Sequence, residues 1–248
     1  MNVGLFIPCY INQFYPYVGI ATLELLEKQG VHVVYPQNQT CCGQPLANAG
    51  FEQDAIKTYH LFVDNFKYCD YIVAPSASCI YHVRNHYDIL QQNGDVQKVR
   101  ERVYEICEFL VKVLHREDVG AVYPLKVGIH HGCHGLRGLG LGHSSELPGN
   151  ASSVAMSLLK KVQDIQIMEL DKEDECCGFG GTFAVTEEAL SVKMGIDRIN
   201  DHSRNNVDII TSTDMSCLMH LDGIIRKNKM PVKVKHIVEI LNTTNTTK

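Results

Sequence analysis

Short apolar runs rich in Val and Ile recur along the chain, each closed by turn residues, and between them lie stretches whose apolar positions fall three or four residues apart. That alternation predicts buried parallel strands joined by amphipathic helices. In the first half "NVGLFI" leads through Cys9 to a helix over Tyr17 to Lys28. "VHVVY" leads through Cys41 and Cys42 to one over Glu52 to Phe66, and "YIVAP" through Cys79 to one over Ile80 to Tyr87. The second half repeats the order. "KVGIH" leads to Cys133, "IQIMEL" to Cys176 and Cys177, and "VDIITS" to Cys217, with helices expected over Ser152 to Lys161, Glu187 to His202 and Cys217 to Lys227. Residues 89–124 read as a connector, with the helical pattern "VQKVRERVYEICEFLVKVL" and the turn-prone "REDVGAVYP".

The expected fold is α/β: two tandem Rossmann-like subdomains with parallel sheets, related by an internal repeat. Residues 1–118 make the first cysteine-rich subdomain with its connector helix and residues 119–242 the second, while the polar stretch 243–248 reads as a disordered tail.

Composition narrows the function. The 248 residues are 45% hydrophobic and 21% charged with a formal charge of -5, an ordinary globular balance. No basic stripe offers a footprint for nucleic acid. No apolar run reaches the roughly 18 residues that span a bilayer, and the first residues lack a charged leader, so a cytoplasmic protein without direct membrane insertion is expected. Ten cysteines in a reducing compartment then need a use other than disulfides.

Eight of the ten fall just past strand ends, where open α/β sheets bind their ligands. The intervals are 31 residues from Cys9 to Cys41 and 36 from Cys42 to Cys79, then 42 and 39 in the second half. Each half can thus gather four thiolates, Cys9, Cys41, Cys42 and Cys79 in one and Cys133, Cys176, Cys177 and Cys217 in the other. Such a set suits an iron-sulfur cluster or a tetrahedral zinc. The plain alternative, eight reduced core thiols, needs the spacing to repeat by accident. Gly43 and Gly178, after the paired cysteines, let the backbone approach a bulky inorganic core. Cys69 and Cys107 lack counterparts and read as small buried apolar residues.

At these residues the sequence resembles the CCG cysteine-rich family, whose pattern is a cysteine, a Cys-Cys-Gly triplet and a closing Cys-x-x-Cys. Within that family it is similar to small iron-sulfur oxidoreductase subunits of lactate-utilization systems. "FYPYVGIATLELLEKQGVHVVYPQNQTCCGQP", "SASC", "HGCHGLRGLG", "CCGFGGTFAV" and "DMSCLMH" carry the likeness. The resemblance implies electron transfer through one or two 4Fe-4S clusters while L-lactate is oxidised to pyruvate, with the other subunits of a lactate-utilization complex as partners. Two departures bear on the metal. Ser76 and Asp214 stand where heterodisulfide reductase relatives have the earlier cysteine of the closing pair, which leaves four cysteines per half. An ordinary cubane cluster, or zinc in one half, therefore stands beside the noncubane form of those relatives. Before Cys133 the subfamily has His-Asp-Ser-Cys-His and this chain has "HHGCH", so His130 and His134 match while His131 and Gly132 do not.

Around the thiols, His130, His134 and His220, together with Gly43, Gly178, Ser76 and Asp214, are the expected supporting residues. Imidazoles there would donate hydrogen bonds to cluster sulfur or relay protons, against the plain alternative of satisfied structural histidines. "GLRGLGLGH" lacks the spacing of a dinucleotide loop. Its Arg137 reads as a contact for a substrate or partner carboxylate, or as a solvated arginine. Two other functions fit the same cysteines: a thiol-disulfide catalytic subunit like heterodisulfide reductase, and a zinc-stabilised scaffold subunit.

Overall fold

The computed structural model describes residues 1–148 and 153–244. The first half runs β1 (Asn2–Leu5), α1 (Cys9–Phe14), α2 (Pro16–Lys28), β2 (His32–Val34), α3 (Gln44–Asn48), α4 (Glu52–Phe66), β3 (Tyr71–Ala74), α5 (Ala77–His86), α6 (Gly94–Arg102), β4 (Val103–Glu105) and α7 (Ile106–Glu108). The second runs β5 (Lys126–Ile129), α8 (Val154–Leu159), β6 (Gln166–Ile167), α9 (Phe183–Thr186), α10 (Glu188–Arg204), β7 (Ile209–Ser212), α11 (Met215–Lys227), β8 (Lys233–His236) and α12 (Ile237–Leu241). Ser152, the expected start of a helix, lies outside the described residues, as do residues 245–248 of the expected tail. Thr243 is held in place, its carbonyl accepting from the Val122 N–H at 3.1 Å.

The strands form two parallel four-stranded sheets, ordered β2-β1-β3-β4 and β6-β5-β7-β8. Helices cover the central strands on both sides, so Val3, Leu5, Ile72 and Val73 are all buried and read as continuous apolar runs rather than alternating ones. Amphipathic spacing does the rest: α2 buries Val18, Ala21, Leu25 and Leu26, with Pro16 pre-set for its first turn. The repeat holds down to single hydrogen bonds. The Phe6 N–H donates to Val73 O at 2.9 Å and the His130 N–H to Thr211 O at 2.7 Å. Likewise the backbone N–H groups of Asn2 and Lys126 donate to the carboxylates of Asp70 and Asp208 at 2.7 and 3.0 Å.

The expected connector helix over residues 96–114 does not form as one element. Here α6 ends at Arg102, Val103–Glu105 pairs with β3 as an edge strand, and α7 and a π-helical turn, Phe109–Val113, follow. Val96, Val99, Val103, Ile106 and Leu110 are all buried at helical spacing, so periodicity hides the strand; pairing of backbone groups with β3 creates it. The connector thus supplies the fourth strand of the first sheet. Its counterpart β8 does the same in the second, and both strands end in a residue that caps the next helix. Glu105 accepts from the N–H groups of Cys107 and Glu108 at 2.8 and 3.1 Å. His236 Nδ1 accepts from the Val238 N–H at 3.3 Å while Glu239 accepts from the His236 N–H at 2.8 Å.

Glu105 is fully buried and its Oε1 has no partner; burial pushes its carboxyl from 4.5 up to about 8. Below the lower value the folded and unfolded chains both carry the proton. Between the two only the folded chain keeps it, so stability falls as pH rises through that window, by at most about 1.4 kcal/mol per pH unit. Glu105→Gln should remove this slope from denaturation midpoints measured across the window. An unchanged slope would show that the carboxyl is hydrated.

The halves are interlocked. Helix α7 packs against α8 of the second half, and α12 returns to α2 of the first, where Lys28 Nζ donates to Asn242 Oδ1 at 2.7 Å. One hydrophobic core runs through both sheets, and a second, rich in aromatics, lies around α4 and α5 of the first half. Cys69 and Cys107 are buried in these cores. Among the described residues no helix is long and apolar enough to cross a membrane.

Candidate metal centres

Parallel crossovers bring each cysteine-bearing segment to the carboxyl end of its sheet. In the first half Cys9 opens α1, Cys41 and Cys42 lie between β2 and α3, and Cys79 sits in the first turn of α5, where Ser76 Oγ caps the helix by accepting from the Cys79 N–H at 3.4 Å. Cys9 and Cys41 sulfurs are 3.5 Å apart, and those of Cys42 and Cys79 are 3.3 Å apart. Adjacency of Cys41 and Cys42 in the chain joins the two pairs. In the second half Cys133, Cys176, Cys177 and Cys217 are gathered closely enough for each to shift the titration of its neighbours. All eight thiols are free.

Each quartet concentrates negative charge on one sulfur. Hydrogen bonds from Cys42, Cys9 and the Gly43 N–H hold the Cys41 thiol down at about 3. Those from Cys133, Cys177 and the Gly178 N–H hold Cys176 at about 2. Their neighbours Cys9, Cys42, Cys133 and Cys177 are pushed up, first by the same shared hydrogen bonds and then by burial. Four sulfurs this close cannot all ionise without a cation among them. A thiophilic metal or iron-sulfur cluster relieves that repulsion and expels the protons, so the donor set fits such a group. Gly43 and Gly178 both have φ +89°, and their N–H groups point at Cys41 and Cys176 sulfur at 3.3 and 3.4 Å. Left-handed backbone of that kind is the reason glycine follows each pair.

Ser76 and Asp214 meet each other across the seam between the halves as an antiparallel bridge. The Tyr10 hydroxyl lies 3.2 Å from Asp214 Oδ1 and 3.3 Å from Ser76 Oγ. Asp214 also accepts from the Ser78 N–H at 2.7 Å and from Ser216 N–H and Oγ–H at 3.1 and 2.7 Å. Tyr10 follows Cys9 and Asp214 caps the helix of Cys217, so one polar chain ties the two thiol sites together. Cysteine spacing gives no hint of Tyr10.

The histidines separate by environment. His134 Nδ1 is 3.8 Å from Cys133 sulfur, whereas His220 Nε2 turns to Ser191, 3.2 Å from its carbonyl oxygen. His130 is buried, burial pushes its pKa down to about 3, and neither ring nitrogen has a hydrogen-bond partner. A nitrogen of its ring and the sulfurs of Cys177 and Cys217 lie within 4.8 Å of one another. Behind it, and missed by sequence reasoning, are Arg198, Asp201 and His202 on α10, all buried. Aligning the two halves residue by residue is the signal that would have found them.

Arg137 lines an open hollow of about 840 Å³ that reaches Cys176. Its guanidinium is bound to both oxygens of Glu146 at 2.9 Å and to Asp174 Oδ2 at 3.3 Å. A substrate carboxylate would have to displace two of the chain's own.

A model of the CCG cysteine-rich domain family matches residues 3–84 and 127–222, one match per sheet. The Lactate utilization protein A of Shouchella clausii (strain KSM-K16) is 36% identical over 247 residues, covering 98% of this chain and 99% of that protein. That of Bacillus subtilis (strain 168) is 35% identical over 247 residues, covering 98% and 100%. A solved structure of Picrophilus torridus aspartate racemase covers 97% of this chain and 90% of its own at 14% identity, but its TM-score of 0.35 is too low to bear on fold or function.

Proposed function

The chain belongs to the CCG cysteine-rich domain family, and on that premise we propose that it is the iron-sulfur electron-transfer subunit of a complex oxidising L-lactate to pyruvate. Its partners are the other subunits of that complex and its place is the cytoplasm. The observation that carries this reading is the repeated thiol quartet, set at the same corner of two matching sheets and closed each time by a left-handed glycine. A bound 4Fe-4S cluster supplies reversible one-electron chemistry.

The chain's own residues do the rest. Cys9, Cys41, Cys42 and Cys79 hold one centre, and Cys133, Cys176, Cys177 and Cys217 the other. Cys42, Cys79, Cys177 and Cys217 form the buried floor of each site, and the half-exposed sulfurs form its rim. N–H groups of Gly43 and Gly178 donate to sulfur, and the Tyr10–Asp214 bond fixes the separation of the sites. Arg137, which lines the hollow beside Cys176, is already paired with Glu146 and Asp174, which supports a lactate site on a partner subunit.

Iron, sulfide and zinc should be quantified on anaerobically purified protein, with electron paramagnetic resonance after dithionite reduction. About four irons per occupied centre are expected, and Cys42→Ser and Cys177→Ser should each abolish one centre and leave the other. Zinc without sulfide, and no signal after reconstitution, would sink electron transfer and leave a zinc-held scaffold.

A further inference from the structure

Because the halves match strand for strand, their differences are informative. Beside the first thiols, Phe6 packs edge-on against Phe62 and Phe66, with ring centres 4.9 and 6.0 Å away, in one apolar cluster with Cys42 and Cys79. The equivalent residues of the second half are His130, Arg198 and His202. His130 follows β5 as Phe6 follows β1, with the same backbone hydrogen bond. Arg198 and His202 lie one turn apart on α10 as Phe62 and Phe66 do on α4, and His202 covers Gly128 as Phe66 covers Gly4. An aromatic plug has been exchanged for three buried nitrogen-bearing side chains.

Buried polar nitrogen ordinarily has a partner. Arg198 has two, Asp201 Oδ2 at 2.7 Å and the Lys172 carbonyl. Neither His130 nor His202 has one, and it is His130 whose ring lies with the sulfurs of Cys177 and Cys217, within 4.8 Å of one another. The free lone pair of an imidazole is a metal ligand as well as a hydrogen-bond acceptor.

We propose that His130 is a direct ligand of the second metal centre, joining Cys177 and Cys217 from the buried side, so that this centre has mixed sulfur and nitrogen donors where the first has sulfur alone. The inference rests on the metal reading of the thiol quartets. Imidazole suits zinc and iron alike, and histidine ligation is one of the levers that raise an iron-sulfur potential. The two centres of one chain are therefore chemically inequivalent, a difference their cysteine spacing conceals.

The test loads the full chain, thiol-reduced and anaerobic, with cobalt(II), using protein labelled with nitrogen-15 at histidine and pulsed electron paramagnetic resonance as the readout. A directly coordinated imidazole nitrogen is expected, together with cobalt-thiolate charge-transfer absorption. His130→Phe, which places the first half's residue in the second, should lose the nitrogen coupling and keep the thiolate absorption. His134→Phe, beside Cys133, should keep both. Wild-type protein that binds cobalt through thiolate with no coordinated imidazole overturns the proposal without any variant, as does coupling that survives His130→Phe. Failure to bind cobalt at all would overturn the metal reading itself, and the histidine ligand with it.

Discussion

Asp201→Ala should lower the stability of the folded chain by about 3–5 kcal/mol, the usual consequence of stripping one partner from a buried ion pair. Arg198 and Asp201 have side chains 0% and 1% exposed and meet at 2.7 Å. Asp201 also accepts from the N–H groups of Asp171 and Lys172 at 3.0 and 3.1 Å, so its loss orphans two backbone donors as well as a guanidinium. Adding Arg198→Met to Asp201→Ala should recover much of the loss, because a methionine there resembles the apolar Phe62 of the other half. Urea midpoints at matched metal content decide it. A single variant that costs under about 1 kcal/mol would mean that water reaches the pair.

Gly178→Ala should cost about 2–5 kcal/mol and empty the second centre. Left-handed backbone charges any other residue about 1–2 kcal/mol, and overpacking adds about 1–3 kcal/mol. A Cβ at Gly178 would stand 2.6 Å from the carbonyl oxygen of Ser191, backbone of a long helix that cannot step aside. Gly43 has the same φ, and its Cβ would meet the ring of Tyr59, which is buried, stacked on Tyr87 and bonded to His82 at 3.0 Å, so Gly43→Ala should cost about as much. Gly30→Ala, at φ +76° in open space, isolates the backbone cost alone. Equal losses at all three would remove the steric part of the explanation. Denaturation midpoints and metal content of each variant supply the comparison.

Much of this molecule can be read from its residues, and the failures have physical causes. Strands β1, β3, β5 and β7 are central and buried on both faces, so their apolar runs announce them. Strands β4 and β8 lie at sheet edges, are three and four residues long, and carry Glu105, Lys233 and Lys235 among their few residues. Side-chain patterns do not register an element made by backbone pairing. The thiol quartets are legible because eight cysteines repeat one spacing. Arg198, Asp201 and His202 are not, because on a helix they pass for a solvated face. Tyr10 and Asp214 are 204 residues apart, and only the fold brings them together.

The crossing of α7 and α12 bears on how fragments of the chain would behave. Each half completes its hydrophobic layer with a helix that the other half's sheet delivers, as two subunits with exchanged ends would. A cut between Val113 and Leu125 would leave neither piece with a finished surface. Complementary pieces should find each other, and a lone half should pair with its own copy.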